Sequence, residues 1–389
     1  MSKVMIVLVS DQRMQNVIPV LQERLGSHDL LVPVISKQRD GSLYTRYVGA
    51  YSRTVEALGG RVSAQDPKPE TGVDPFVFAD TEGLCQTLIR KYRKENREVI
   101  VNITSGTKPM SIGAYRAALA EGVRTIYVDT ENEQVVSFYP DGRCAPVDFN
   151  EHIRGIDAQV YLAAHGKRID TKQTARRAFS DSEIGTTQVL REFEIARVAV
   201  FMSNLTSAVG RVASDFTHCR YFDVSLSDVG GDDDLLSKLE ACHYVIPLDK
   251  THIRIQKGEN WNYLNGRWLE AYVYLALRDS GKYHDVRSGV QFQGVRNDLD
   301  VVCVHNARLA ILECKAGDPG GQGTLNKLRA LKETAGGTFG RTFFVTTMER
   351  SDLSEHFCAR AREYDITAIV DINDLPCIAD IIFKSMEGR

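Results

Sequence analysis

The stretch Leu299–Lys315, LDVVCVHNARLAILECK, sets an aspartate, a glutamate and a lysine among apolar residues. It reads as two strands joined by a tight turn at His305–Arg308. Strand alternation puts Asp300, Val302 and Val304 on one face of the first strand. The same rule puts Ile311, Glu313 and Lys315 on one face of the second. Val301, Val302, Leu309, Ile311 and Leu312 make the surroundings apolar, and a charge buried there needs a partner or a metal. Asp300, twelve further residues, then Glu313-x-Lys315 suits metal-dependent cleavage of a phosphodiester. Asp300, Glu313 and the main-chain carbonyl of Cys314 would hold Mg2+ or Mn2+ through oxygen. The ion would lower the pKa of a bound water, and Lys315 would hold the nucleophile or stabilise the oxyanion.

Other residues stand near this set. Glu270 lies in a helix with Trp268, Leu269, Tyr272, Val273 and Leu277. It is either exposed on the opposite face or a third carboxylate aimed at the metal. Asp298 shares the Asp300 face but sits nearer the strand's start, which suits a supporting or loop role. Gln322 and Lys327, beyond Lys315, could contact the scissile phosphate or be ordinary polar residues at a helix start.

The elements that must position these groups follow from the periodicity. Residues 1–150 alternate strands (Lys3–Ser10, Leu30–Ser36, Glu98–Ile103, Arg124–Asp129) with helices (Met14–Leu25, about Tyr44–Leu58, Thr81–Glu95, Met110–Ala120), with a loop at Gln65–Pro75. That rhythm predicts a doubly wound parallel sheet. Ligands of such sheets bind beyond the C-terminal strand ends, where two polar clusters lie: Ser10, Asp11 and Gln12, and then Asn102-Ile103-Thr104-Ser105-Gly106-Thr107-Lys108. With Pro109 at the first helical position, the N–H groups of Gly106, Thr107 and Lys108 would form an anion site. Ordinary helix capping explains the same residues. The spacing is not that of a Walker A loop.

Residues 151–180 read as a basic connector or exposed helix. In 181–255, Leu190–Phe201 and Leu235–Cys242 read as helices, Asp215–Asp234 as a loop, and Tyr244–Leu248 with Thr251–Ile255 as a hairpin: a small winged-helix-like region. Asp232, Asp233 and Asp234 are expected as helix N-terminal acids rather than a metal site. Residues 256–389 form an α/β domain with a helix over Leu264–Leu277 and antiparallel pairs at its heart.

With 389 residues, 43% apolar and 25% charged, the chain has material for two or three domains. A net charge of −3 announces no global affinity for nucleic acid, though a local basic channel is compatible with it. The eight cysteines are scattered without a C-x-x-C. Neither His218–Cys219 nor Cys242–His243 fits a zinc pattern, so reduced thiols in a cytoplasmic protein are expected. The chain opens on a strand without a signal-peptide pattern, and no apolar run is long enough to span a membrane.

Glu270, Asp300 and Glu313-Cys314-Lys315 resemble the PD-(D/E)xK nuclease core. Asn262-Tyr-Leu-Asn-Gly266-Arg-Trp268-Leu-Glu270 resembles the N-G-x-W-L-E signature of the type III CRISPR ancillary nucleases that join a CARF sensor to such a core. Thr104–Lys108 is similar to the CARF ligand loop, and Ser10–Gln12 matches its first-strand position. The resemblance implies a Rossmann-like CARF domain (1–150), a connector with winged-helix-like character (151–255) and a restriction-endonuclease-like domain (256–389). It implies a homodimer that binds cyclic oligoadenylate, typically cyclic tetra-adenylate, through Ser10, Asp11, Gln12 and Thr104–Lys108. Binding would activate cutting of DNA, and in some members RNA, with Glu270, Asp300, Glu313 and Lys315 as the catalytic set. Asn297-Asp298 stands where the motif's name has Pro-Asp, leaving Asp300 as the better ligand. A CARF-type transcriptional regulator is the alternative, and it would need no catalytic trio.

Overall fold

The computed structural model describes residues 1–212, 220–294, 298–317, 319, 322–337 and 340–387. Cys219, Asn297 and the side chain of Gln322 lie outside the described residues. No described helix is long and apolar enough to cross a membrane.

The first sheet holds strands β1 (Lys3–Leu8), β2 (Leu30–Ser36), β3 (Ser63–Ala64), β4 (Gly72–Val73), β5 (Glu98–Asn102), β6 (Arg124–Asp129), β7 (Gln134–Phe138) and β8 (Cys144–Asp148). Its order is β3-β2-β1-β5-β6-β7-β8, with β4 also on β2. The strands through β6 are parallel and the last two antiparallel. Strand β1 is central and apolar throughout, because helices cover both faces. Those helices are α1 (Met14–Gln22), α2 (Thr45–Ala57), α3 (Phe78–Lys94) and α4 (Lys108–Ala120).

Of the stretch 151–180, expected as a basic connector or exposed helix, only the last helix is an exposed one. The stretch forms α5 (Glu151–Arg154), α6 (Ala158–Ala164) and α7 (Thr171–Arg177), and Tyr161 and Leu162 of α6 are fully buried. One continuous apolar core runs from Met5 and Ile100 through Ile153 and Tyr161 to Ile311 and Phe344. The N-terminal sheet and the C-terminal sheet are therefore packed through α6, and the Tyr161 hydroxyl donates to the Gly336 carbonyl at 2.6 Å. His165 stacks on Tyr161 at 4.7 Å. Its Nε2 fills the space a Cβ at Gly337 would need, and Gly337 has φ +58°, so this contact requires glycine.

Burial pushes the His165 imidazole down to about 4, with Arg13 nearby acting in the same direction. The unfolded imidazole protonates below about 6.5 while the folded one stays neutral. Stability is therefore complete above pH 6.5 and is lost as pH falls from 6.5 towards 4, by up to about 3 kcal/mol. Denaturant titrations should show that loss, and His165→Asn should flatten it. Equal slopes in both proteins would refute the assignment.

The middle region contains α8 (Asp181–Leu190), α9 (Ile195–Val212), β9 (Tyr221–Ser225), α10 (Leu226–Val229), α11 (Asp233–Ala241), β10 (Ile246–Pro247) and β11 (His252–Gln256). The antiparallel order β10-β11-β9 after helix, strand, helix, helix is winged-helix topology. The expected helix Leu190–Phe201 is instead the junction of two helices. α8 starts on a capping box between Ser180 and Glu183, the S-x-x-E signal. The expected loop Asp215–Asp234 contains β9, whose buried Phe222 and Val224 alternate with exposed Tyr221 and Asp223. Asp232 caps α11, accepting from the Leu235 N–H at 3.1 Å, and pairs with Arg197 at 2.5 Å. Among the described residues all cysteines are unpaired.

The last sheet has order β12-β13-β14-β15-β16, comprising β12 (Asp285–Gln291), β13 (Asp298–His305), β14 (Arg308–Lys315), β15 (Gly340–Thr346) and β16 (Ala368–Val370). The first three strands are antiparallel, and β15 and β16 add in parallel. Helices α12 (Glu259–Asn262), α13 (Trp268–Asp279), α14 (Gln322–Leu331), α15 (Glu355–Glu363) and α16 (Ile378–Glu387) surround it.

Candidate active site and ligand loop

The β13–β14 hairpin turns on Asn306 and Ala307, at φ 46° and 60°, the two-residue turn that matches strand twist. Its register pairs Val304 with Leu309 and Val302 with Ile311. Continued, it sets Asp300 opposite Glu313. Because β15 covers the other edge of β14, Glu313 is 3% and Asp300 6% exposed. Two carboxylates are thus buried side by side.

Each has specific partners. The Cys314 N–H donates to Asp300 Oδ2 at 2.8 Å. Lys315 Nζ lies 3.1 Å from Glu313 Oε1, and Lys327 Nζ, from α14, lies 2.6 Å from Oε2. Burial pushes the Asp300 carboxyl up, and the neighbouring Glu313 adds to the rise. Burial likewise holds Glu270 well above the usual carboxylate range, with Asp300 as the next cause. Glu270 is therefore close enough to Asp300 to feel its charge, while its side chain stays 25% exposed. For Lys315, burial works against the charge, but Glu313 and Asp300 outweigh it and its pKa rises.

The expected helix Leu264–Leu277 is broken, and the break places Glu270. The backbone leaves helical geometry at Asn265 (ψ 20°) and Gly266 (φ 138°), and α13 begins afresh at Trp268. Only glycine takes that φ without strain, so the Asn-Gly pair is a hinge between two helical segments. Glu270 lies in the first turn of α13. Arg267 stands 3.9 Å from Glu270 and 2.7 Å from Glu183 on α8, which ties the middle region to the site. Asp298 pairs with Arg177 of α7, in keeping with a supporting role. Sequence reading did not single out Arg267, Arg177 or Glu183, since their sequence distances, up to 121 residues, carry no periodic signal.

A hard divalent cation suits this donor set. Acids with raised pKa crowd one another, and a cation between them removes that cost. Among the described residues no three His, Cys, Asp or Glu side chains form a ready metal cage. The geometry gives a reason: both Glu313 oxygens are occupied by lysines. Ion binding would require Glu313 to release one of them.

At the other end of the chain, the polar turn after β5 is held by a buried amide network. Asn16 Nδ2 donates to the Leu8 carbonyl at 3.0 Å, and Asn102 Nδ2 donates to Asn16 Oδ1 at 2.8 Å. Thr104 donates to Asn102 Oδ1 at 2.5 Å and accepts from the Val128 N–H at 2.9 Å. Ser105 donates to Gln15 Oε1 at 3.1 Å. Thr107, not Lys108, is the N-cap of α4, so Pro109 is the second rather than the first helical residue. Gly106 has φ +84°, and a Cβ there would press on Leu8 and Met110 at 3.2 and 3.3 Å. Ser10 accepts from the Gln12 N–H at 3.2 Å, and Asp11 pairs with Arg46. The hydroxyls expected to face a ligand thus also build the turn, whereas Lys108 and Gln12 are exposed.

Comparison with known proteins was made on this geometry. A family model described as the Card1 CARF domain matches residues 64–154. One described as the Card1-like endonuclease domain matches residues 257–387. Together they match more than half of the chain. Among solved structures, protein VC1899 from Vibrio cholerae superposes with TM-score 0.75 at 21% identity, covering 100% of this chain and 99% of that one. Can2 from Sulfobacillus thermosulfidooxidans, solved in complex with cyclic tetra-adenylate, superposes with TM-score 0.68 at 19% identity, covering 99% of each. No curated protein matches the sequence. With a Card1-type sensor domain at one end and a Card1-like endonuclease domain carrying the buried carboxylate–lysine cluster at the other, the chain belongs to the CARF-domain endonucleases.

Proposed function

We propose that the chain is a metal-dependent endonuclease of type III CRISPR defence, switched on by cyclic tetra-adenylate, that cuts DNA and possesses the groups to cut RNA by the same chemistry. The observation that carries the catalytic half is the juxtaposition of Glu270, Asp300 and Glu313 with Lys315 and Lys327. A bound Mg2+ or Mn2+ would acidify a water and neutralise charge on the phosphorane. Asp300, Glu313, the Cys314 carbonyl and Glu270 would hold it. Lys315, once free of Glu313, holds the attacking oxygen, and Lys327 reaches the scissile phosphate.

The sensor half rests on Ser10–Gln12 and Thr104–Lys108. Their turn is hydrogen-bonded, glycine-dependent and open at Lys108. A two-fold ring of four phosphates suits two copies of one anion site. The second copy is supported by α4, which exposes Ile112 (55%), Tyr115 (37%) and Leu119 (47%) on one stripe, apolar surface of the kind that self-association covers. We place the working boundaries at 1–150, 151–255 and 256–389, and the protein in the cytoplasm. The shared core through α6 would carry the signal between domains, provided the ligand binds the active arrangement better than the resting one.

The regulator alternative rested on the winged-helix region. Its third helix, α11, occupies the position that enters the DNA groove. It carries Asp233, Asp234 and Glu240 against a single Lys238, a charge balance that repels phosphate.

The test is supercoiled plasmid with Mn2+ and cyclic tetra-adenylate. Wild type should cut only when both are present. Lys108→Ala should raise the activator concentration needed by about 10-fold or more, since one charge-assisted contact is worth about 1.5–3 kcal/mol. An unchanged activation curve would remove Lys108 from the sensor.

A further inference from the structure

A cavity of about 110 Å3 with mixed polar and apolar walls lies beside the catalytic cluster, between α9 and the Asn265-Gly266 break. Its far wall is Ala316 and Gly317, which directly follow Lys315, and Trp268, two residues before Glu270. Three features define its chemistry. Among the described residues no charged side chain lines it, which suits a neutral group better than a phosphate. Ser203, Ser207 and Asn265 supply hydroxyl and amide groups that both donate and accept, while Met202 and Leu264 supply flat apolar wall. Trp268 is 2% exposed, and its buried Nε1–H has no partner among the described residues. An unsatisfied buried donor is costly and uncommon.

A wider groove of about 420 Å3 continues from Gly317 and Thr347 past Glu349 and Asp352. Those acids repel a sugar–phosphate chain. The backbone of a bound strand is therefore confined to the side of Lys315 and Lys327, with the cavity open to whatever projects from it.

We propose that this cavity receives the unpaired base of the nucleotide next to the scissile phosphate, with the Trp268 indole N–H donating to a base acceptor. The proposal rests on the nuclease reading above and adds to it a base-reading site shared by the middle region and the nuclease domain. Bases that enzymes draw out of the stack are held in this way, by hydrogen bonds and apolar walls. The catalytic lysines then place the phosphate while the cavity sets which nucleotide stands beside it.

The full-length chain, with Mn2+ and cyclic tetra-adenylate, is given single-stranded DNA of fixed sequence carrying one abasic site at successive positions. The expected result is a loss of about 10-fold in cutting at a given phosphate when the abasic site adjoins it, the scale of one lost base contact, and little loss elsewhere. Trp268→Phe keeps an aromatic ring but removes the N–H along with the five-membered half of the indole, and Ser203→Phe fills the cavity from an exposed position. Both should make cutting insensitive to the adjacent base while binding the activator as wild type does. Cutting that ignores abasic position, or variants that keep the wild-type dependence, would overturn the proposal. Binding of the same strands to Glu313→Gln gives a separate reading: position-dependent affinity supports the cavity and uniform affinity refutes it. The nuclease reading itself falls only if wild type also leaves supercoiled plasmid uncut; if it cuts plasmid but no single strand, the binding series decides the base site.

Discussion

Glu313→Gln is expected to lower metal-dependent cutting by on the order of 10²–10³-fold or more, the scale for losing one preorganised electrostatic group at a reacting centre. The substitution keeps shape and removes charge. Glu313 is 3% exposed and holds Lys315 at 3.1 Å and Lys327 at 2.6 Å, so the variant loses a cation ligand and the group that orients both lysines. It should also lose stability. A fully buried pair broken on one side costs about 3–5 kcal/mol. Here the lysine side chains remain 40% and 23% exposed and can turn to water, so about 1–3 kcal/mol is the better expectation. Plasmid cutting and denaturant unfolding of the same preparation measure the two effects. A variant that cuts as wild type does would move the active site elsewhere.

Glu270→Gln should separate catalysis from stability in the opposite direction. The folded Glu270 carboxyl keeps its proton to a higher pH than the ordinary 4.5, because it is largely withdrawn from water, with its side chain 25% exposed, and feels the charge of Asp300. Above about pH 4.5 the folded chain therefore binds more protons than the unfolded one, and metal-free stability falls as pH rises through that window. Glutamine has no proton to lose. Without metal, the variant should melt above wild type at pH 8 by a few degrees, each kcal/mol being worth about 2–4 °C in a domain of 150–250 residues. Saturating Mn2+ should reverse the order, because wild type gains from binding an ion that relieves the crowded acids. Cutting by the variant should fall sharply. A metal-free melting temperature no higher than wild type at pH 8, or an unchanged pH slope, would show that Glu270 is not under strain from Asp300.

Much of this was legible in the chain itself, for local reasons. Period-2 alternation placed Asp300 and Glu313 on one hairpin face, and the turn at His305–Arg308 set the register. The βα rhythm of residues 1–150 specified a parallel sheet, and with it the strand ends where a ligand loop belongs. Asp232, Asp233 and Asp234 as acids at a helix N-terminus followed from composition and position alone.

Tertiary structure decided what depended on partners far away in sequence. It joined Lys327 to Glu313 and made that acid's availability conditional, which no spacing rule contains. It broke the helix at Asn265-Gly266, where apolar periodicity runs straight through and only a backbone at φ 138° shows the hinge. It brought Glu270, for which two readings were open, within reach of the Asp300 charge, and it buried α6 between the two sheets. Sequence patterns report which face of an element is apolar. Which element covers that face, and which charge is left facing which, is settled only when the whole core closes.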